Sequence, residues 1–151
     1  VNHPVLVQTF AQVLNRLGTN RAVVLHGREK LDEAGLGDKT DLAIVSNQQI
    51  HPLTLDPRDL GFSTTPLSQL KGGNVRENAK ILQAVLRGQG TSAQQDMVVL
   101  NAALALYVGE AVPEKGNYLD TLAKAHVLAR DIVQSGLAWK KLEQLAQFLG
   151  A

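Results

Sequence analysis

The run Met97-Val98-Val99-Leu100-Asn101-Ala102-Ala103-Leu104-Ala105-Leu106 is apolar at every position but one. A helix carrying it, from about Ala93 to Val108, has no polar face to turn to water, so it has to lie at the centre of the molecule with other elements packed around it. At 151 residues the chain is one domain's worth, long enough to bury a core of that kind. Asn101 then puts a carboxamide inside the core. Such a group is held by hydrogen bonds to backbone or side chains, and this packing reading outweighs a direct functional one.

Val5, Leu6, Phe10, Val13, Leu14 and Leu17 recur at spacings of three and four between Pro4 and Gly18, which predicts an amphipathic helix with these residues on its apolar face. Arg21 to Leu25 is apolar beyond its first residue and shows no alternation. That is the pattern of a strand covered on both faces, a trait of parallel sheets. Asp41 to Ser46 and Gln49 to Leu55, joined at Asn47 and Gln48, predict a β-hairpin. Asp56-Pro57-Arg58-Asp59 breaks the pattern, and Leu60 to Gly73 reads as a loop crossing the surface. Asn74 with Glu77 three residues on is an N-terminal capping pair. It opens a helix to about Arg87, before Gly88, with Val75, Ala79, Leu82, Val85 and Leu86 on the core face. Two more helices, about Asn117 to Ser135 and Leu137 to Leu149 with Gly136 between them, close the chain. The fold class is α/β, a central sheet with flanking helices and a helix-rich C-terminal half.

Fifteen Lys and Arg against fourteen Asp and Glu leave a formal charge of +1, with no basic run and few aromatic residues on which bases could stack. Nucleic acid is not an expected partner. No window approaches the about 18 apolar residues that would span a membrane, so none is expected there either. The absence of cysteine excludes disulfides and thiolate metal sites and fits a reducing compartment, so a cytoplasmic protein is expected. The chain begins at Val1-Asn2-His3-Pro4 with no initiator methionine, charged leader or signal-like stretch, and is expected to be part of a longer polypeptide.

In Leu25-His26-Gly27-Arg28-Glu29-Lys30-Leu31-Asp32-Glu33 an apolar strand runs into a glycine turn that carries two adjacent carboxylates. Oxygen-only ligands suit a hard cation such as Mg²⁺, and a hard cation suits a phosphorylated substrate. On the residues alone, Asp32 and Glu33 read either as a solvated loop or as a metal site. Arg28 and Lys30 read as solvated cations, or as contacts to a phosphate oxygen. Gly72-Gly73 ahead of the capped helix reads as a tight turn in preference to a phosphate cradle. His3, His26, His51 and His126 lack metal-ligand spacing, and no serine sits in a nucleophile elbow. His26, at the end of the buried strand, reads as a hydrogen-bonded residue that fixes the loop. Trp139 with Leu142 and Leu145 reads as core or a subunit contact.

Several segments recur here in a particular order. They are Val23-Val24-Leu25-His26-Gly27 with Leu31-Asp32-Glu33, then Leu55-Asp56-Pro57 and Leu60-Gly61, then Leu70-Lys71-Gly72-Gly73 with Glu77-Asn78-Ala79, and finally Val99-Leu100-Asn101-Ala102-Ala103. The set resembles the anthranilate phosphoribosyltransferases of tryptophan biosynthesis, and within them the C-terminal part of the large α/β catalytic domain, of the nucleoside phosphorylase/phosphoribosyltransferase type. The resemblance covers nearly the whole chain.

That resemblance implies transfer of the ribosyl phosphate of phosphoribosyl pyrophosphate to the amino group of anthranilate, releasing pyrophosphate in a magnesium-dependent step. Asp32 and Glu33 match the family's acidic pair, which implies that they hold the Mg²⁺. Two protein carboxylates suffice, because this ion keeps several waters and takes the rest of its ligands from phosphates. Also implied is a homodimer for the full-length protein. Departures from the family pattern are clear. Arg28-Glu29-Lys30 fills a step that in many members contains glycine. The N-terminal helical domain, the glycine-rich pyrophosphate loop, the Lys-His-Gly-Asn segment and the anthranilate-binding arginine have no counterpart among these residues. No catalytic residue is therefore assigned within the segment, and the chain alone is expected to be an incomplete enzyme. Two other readings are a pyrimidine nucleoside phosphorylase, which Leu31-Asp32-Glu33 and the Gly-Gly with Glu-Asn-Ala argue against, and a non-catalytic binding paralogue, which the near-neutral charge and the retained acidic pair argue against.

Overall fold

The chain runs α1 (Val5–Arg16), β1 (Arg21–Gly27), β2 (Thr40–Ser46), β3 (Gln49–Leu55), α2 (Val75–Leu86), α3 (Ser92–Val108), α4 (Tyr118–Gln134) and α5 (Leu137–Phe148). The computed structural model describes residues 1–114 and 116–150. Its strands form one sheet in the order β1-β2-β3, both pairs antiparallel, with Arg21 opposite Ser46, Gly27 opposite Thr40 and Ser46 opposite Gln49. The β2–β3 hairpin turns at Asn47 and Gln48, as expected. Their φ values of 50° and 61° are those of the tight turn whose twist matches paired strands.

β1 departs from the expectation of a parallel sheet. It is covered on both faces, Val24 packing with α1 and Val23 and Leu25 packing toward α3 and α4, yet it runs antiparallel to β2. Missing alternation reports helices on both sides of a strand and carries no information on the direction of its neighbour. Here the connection 28–39 simply folds back.

α1 lies on one face of the sheet with Val7 and Ala11 against Val24, Ala43 and Val45. Of the apolar face expected of this helix, Leu14 packs against this cluster and Leu6 is half-buried, but the other four residues are turned away. Val5, Phe10, Val13 and Leu17 are 68%, 48%, 49% and 76% exposed. A small residue lets a helix approach a sheet closely, so the fully buried Ala11 marks the contact line that the larger residues do not.

On the other face α3 is the central helix that its composition requires, burying Val99, Leu100, Ala103, Leu104 and Tyr107. α4 packs on it through Leu122, Ala125, Ala129 and Val133. Three helices begin with reciprocal side-chain caps, Asn74 with Glu77, Thr91 with Gln94 and Asn117 with Asp120. Each pair satisfies backbone N–H groups that have no partner within the helix. The core face expected of α2 is corrected too. Only Val85 is fully buried, Leu86 is half-buried, Ala79 is exposed, and Val75 and Leu82 point outward, while Ile81 packs on the core instead. α2 touches its neighbours along a narrow line, and Val75 sits in the first turn, before that contact begins.

The break after β3 is a short 3₁₀ turn, Pro57–Leu60, and the segment expected to cross the surface as a loop contains a second, Leu67–Gln69, and buries Leu60 and Phe62. α5 buries none of its residues fully. Trp139 is half-buried beneath the Arg87 guanidinium, 4.7 Å from its ring centroid, so this cluster is not core. Among the described residues no helix is long and apolar enough to cross a membrane.

Candidate functional site

β1 delivers the chain to Gly27, where it turns back on itself. The Gly27 N–H donates to the Leu31 carbonyl at 2.9 Å, and the Gly27 carbonyl accepts from Lys30 and Leu31 at 2.9 and 3.1 Å, with Lys30 in the left-handed region at φ 66°. A Cβ on residue 27 would lie 2.7 Å from the Glu33 carbonyl oxygen, so glycine is what allows the loop to close over the strand end. Asp32 and Glu33 follow, both exposed, and Ala34, Gly35 and Leu36 then plunge into the core.

The return leg is held from α3. The Ala34 N–H donates to Asn101 Oδ1 at 3.0 Å, and Asn101 Nδ2 donates to the Ala34 carbonyl at 3.0 Å and to the Met97 carbonyl at 3.0 Å. Deeper in the loop, the Gly37 N–H donates to Glu29 Oε2 at 2.9 Å and the Gly35 N–H to Thr40 Oγ1 at 3.4 Å. Gly35 and Gly37 leave the space that the Glu29 carboxylate fills. Of the four carboxylates on the connection 28–39, Glu29 closes it. The side chains of Asp32 and Glu33 have no hydrogen bond or ion pair among the described residues.

Two unpaired carboxylates on a fixed apex are a donor set that fits Mg²⁺ completed by water and phosphate oxygens. They do not form an all-protein cage, because no group of three or more His, Asp or Glu side chains converges among the described residues. Arg28 has another task. Its guanidinium grips Asp41 on β2 through two bonds of 3.0 and 2.8 Å, and this hydrogen bonding holds the Asp41 carboxyl below its ordinary range. Lys30 is exposed, and both line a cavity of about 450 Å³ together with His3 and His26. His26 is buried, its Nδ1 2.8 Å from the Val1 carbonyl. Glu33 lines a second, apolar cavity of about 480 Å³ together with Leu31, Leu67, Leu70, Ile81 and Met97.

At Gly72-Gly73 the geometry is that of a turn. The Gly73 N–H donates to Asn78 Oδ1 at 2.8 Å and the Asn74 N–H to Glu77 Oε2 at 2.8 Å, so side chains already occupy donors that an anion would need. Sequence reasoning missed the link from Asn101 to Ala34 and the role of Glu29. The signal available was the lone amide in an apolar run.

Residues 1–139 match the family described as glycosyl transferase family, a/b domain. The chain belongs to this family. It is 56% identical over 149 residues to an anthranilate phosphoribosyltransferase of Synechococcus elongatus, covering 99% of this chain and 41% of the relative. A crystal structure of anthranilate phosphoribosyltransferase from Thermus thermophilus superimposes with a TM-score of 0.87 at 32% identity, covering 100% of this chain and 42% of that one. The Saccharomyces cerevisiae enzyme in complex with PRPP and Mg shares the fold with a TM-score of 0.78 at 21% identity, over 95% of this chain and 39% of that one. The chain thus spans about two fifths of the length of the curated relatives it matches. In this glycosyl transferase a/b domain, loop 27–36 carries the two unpaired carboxylates, presented where β1 ends.

Proposed function

We propose that this domain serves an anthranilate phosphoribosyltransferase, which moves the phosphoribosyl group from phosphoribosyl pyrophosphate to the amino group of anthranilate and releases pyrophosphate, in tryptophan biosynthesis. The observation that carries the reading is the pair Asp32 and Glu33, exposed and unpaired at the apex of a loop whose two legs are tied down. The similarity to named anthranilate phosphoribosyltransferases over nearly all of this chain supports it.

Asp32 and Glu33 are the residues that would hold Mg²⁺. When bound, that ion offsets the negative charge that builds on departing pyrophosphate. Gly27 and Leu31 keep the outgoing leg of the loop on the strand end, so the two carboxylates are presented without a search through loop conformations. Arg28 is committed to Asp41, which leaves Lys30 as the cation of this loop able to meet a phosphate oxygen. In this reading the segment is the C-terminal portion of the α/β catalytic domain. The helical domain and the glycine-rich pyrophosphate loop belong to the remaining length of a full-length member, which works as a cytoplasmic homodimer.

The test follows anthranilate fluorescence with the full-length protein. Its decay should require both phosphoribosyl pyrophosphate and Mg²⁺, and Asp32→Ala and Glu33→Ala should each weaken the magnesium dependence at least about 10-fold while the protein stays folded. No consumption by folded full-length protein would overturn the reaction. Unchanged metal dependence in both variants would overturn the site.

A further inference from the structure

We infer that Asn101 is a positioning residue for the acidic pair, fastening the metal-binding apex to the central helix. The inference rests on the reading of Asp32 and Glu33 as metal ligands. Asn101 touches neither of their side chains. It binds the main chain of the very next residue, accepting from the Ala34 N–H and donating to the Ala34 carbonyl, both at 3.0 Å.

Three features make this a clamp and not an incidental contact. The third bond, from Nδ2 to the Met97 carbonyl one turn back on α3, fixes the rotation of the carboxamide. Nδ2 faces two carbonyls and Oδ1 faces the amide, so one orientation satisfies all three groups. Ala34 is fully buried, so water cannot replace a lost partner, and removing the carboxamide leaves an N–H and a carbonyl unpaired in the core. The clamp also stands on rigid ground, since Val99 and Leu100 beside it on α3 are 0% and 1% exposed. Metal ligands have to be held to within about 0.5 Å of their productive positions. Gly27 ties down the leg that enters the apex, and Asn101 clamps the first residue of the leg that leaves it, ahead of the bonds from Gly35 to Thr40 and from Gly37 to Glu29.

The experiment uses the full-length protein and measures Mn²⁺ binding in the presence of pyrophosphate by electron paramagnetic resonance, with amide hydrogen exchange of residues 31–35 recorded in parallel. Asn101→Ala should weaken Mn²⁺ binding about 10-fold, in the range seen for groups that orient metal ligands, and should speed exchange across 31–35 while α3 stays protected. Asn101→Asp, which keeps the acceptor but turns a carboxylate toward two carbonyls, should do the same and serves if the alanine variant does not fold. Val45→Ala, a core change in the separate cluster under α1, should lower the melting temperature and leave Mn²⁺ affinity unchanged. Wild-type affinity in the Asn101 variants, or an equal loss in Val45→Ala, overturns the clamp. Asp32→Ala separates the two readings. If it binds Mn²⁺ normally the metal assignment has failed, and with it the inference. If it loses affinity while the Asn101 variants keep theirs, the clamp alone has failed.

Discussion

His126, on α4, accepts a hydrogen bond at its Nε2 from Arg130 Nε at 3.3 Å, while Arg130 Nη2 donates to Asp96 at 2.8 Å and the imidazole lies 4.5 Å from the Phe62 ring. An imidazole that accepts at Nε2 carries its proton on Nδ1 and is neutral. Burial first, and the Arg130 charge second, push its pKa below the ordinary histidine value, with Asp96 pulling the other way. The unfolded chain titrates near 6.5, so this contribution to stability is complete above that pH and is lost as pH falls through the lower folded value. Urea unfolding from pH 7 to pH 5 should show a decline in stability that His126→Gln reduces. An identical decline in the variant would mean that His126 does not carry it. Only part of this arrangement was legible in the sequence. Arg130 sits four residues along the same helix, but Asp96 and Phe62 come from other elements. The acidic pair was legible in the same partial way. Its position on a strand-to-loop junction can be read locally, whereas its anchor lies 67 residues away.

The helices divide along the same line. Their starts were legible, because Asn74 with Glu77 forms its cap within four residues and needs no tertiary partner. Their buried faces were not always so. On α1 the spacing of large apolar residues names one face, and the sheet takes Leu14 from it together with Val7 and Ala11, leaving Val5, Phe10, Val13 and Leu17 outside. A pair of substitutions measures the difference. Val7→Ala should cost about 1–3 kcal/mol, because Val7 is packed against the sheet, and Val13→Ala, on the outward side, should stay within about 0.5 kcal/mol. Denaturant unfolding of the two variants reads this directly, and equal losses would place both residues in the core. The direction of β1 was hidden for a different reason, since a strand's own side chains report what covers it and not which way its neighbour runs.

Across the whole molecule the sheet separates a small cluster under α1 from a much larger one built on α3 and α4. Unequal burial of this kind produces unequal local stability. Native-state hydrogen exchange should find the amides of α3 and β2 the slowest and those of α1 at least about 10-fold faster, and uniform protection would show that the two clusters open together. The α/β class, the hairpin and the buried central helix were all legible, because each follows from patterns confined to one element. What joins the elements across the sheet was not.

The bond between Asn101 and Ala34 also orders events in time. A chain made at about 5–20 residues per second brings Asn101 out some 3–13 s after Ala34, from their separation of 67 residues. Until then the outgoing leg has its bonds from Gly35 to Thr40 and from Gly37 to Glu29, but Ala34 next to the acidic apex lacks its clamp. A nascent molecule therefore acquires its strand turn early and a fully anchored acidic loop only once the central helix has been synthesised and docked.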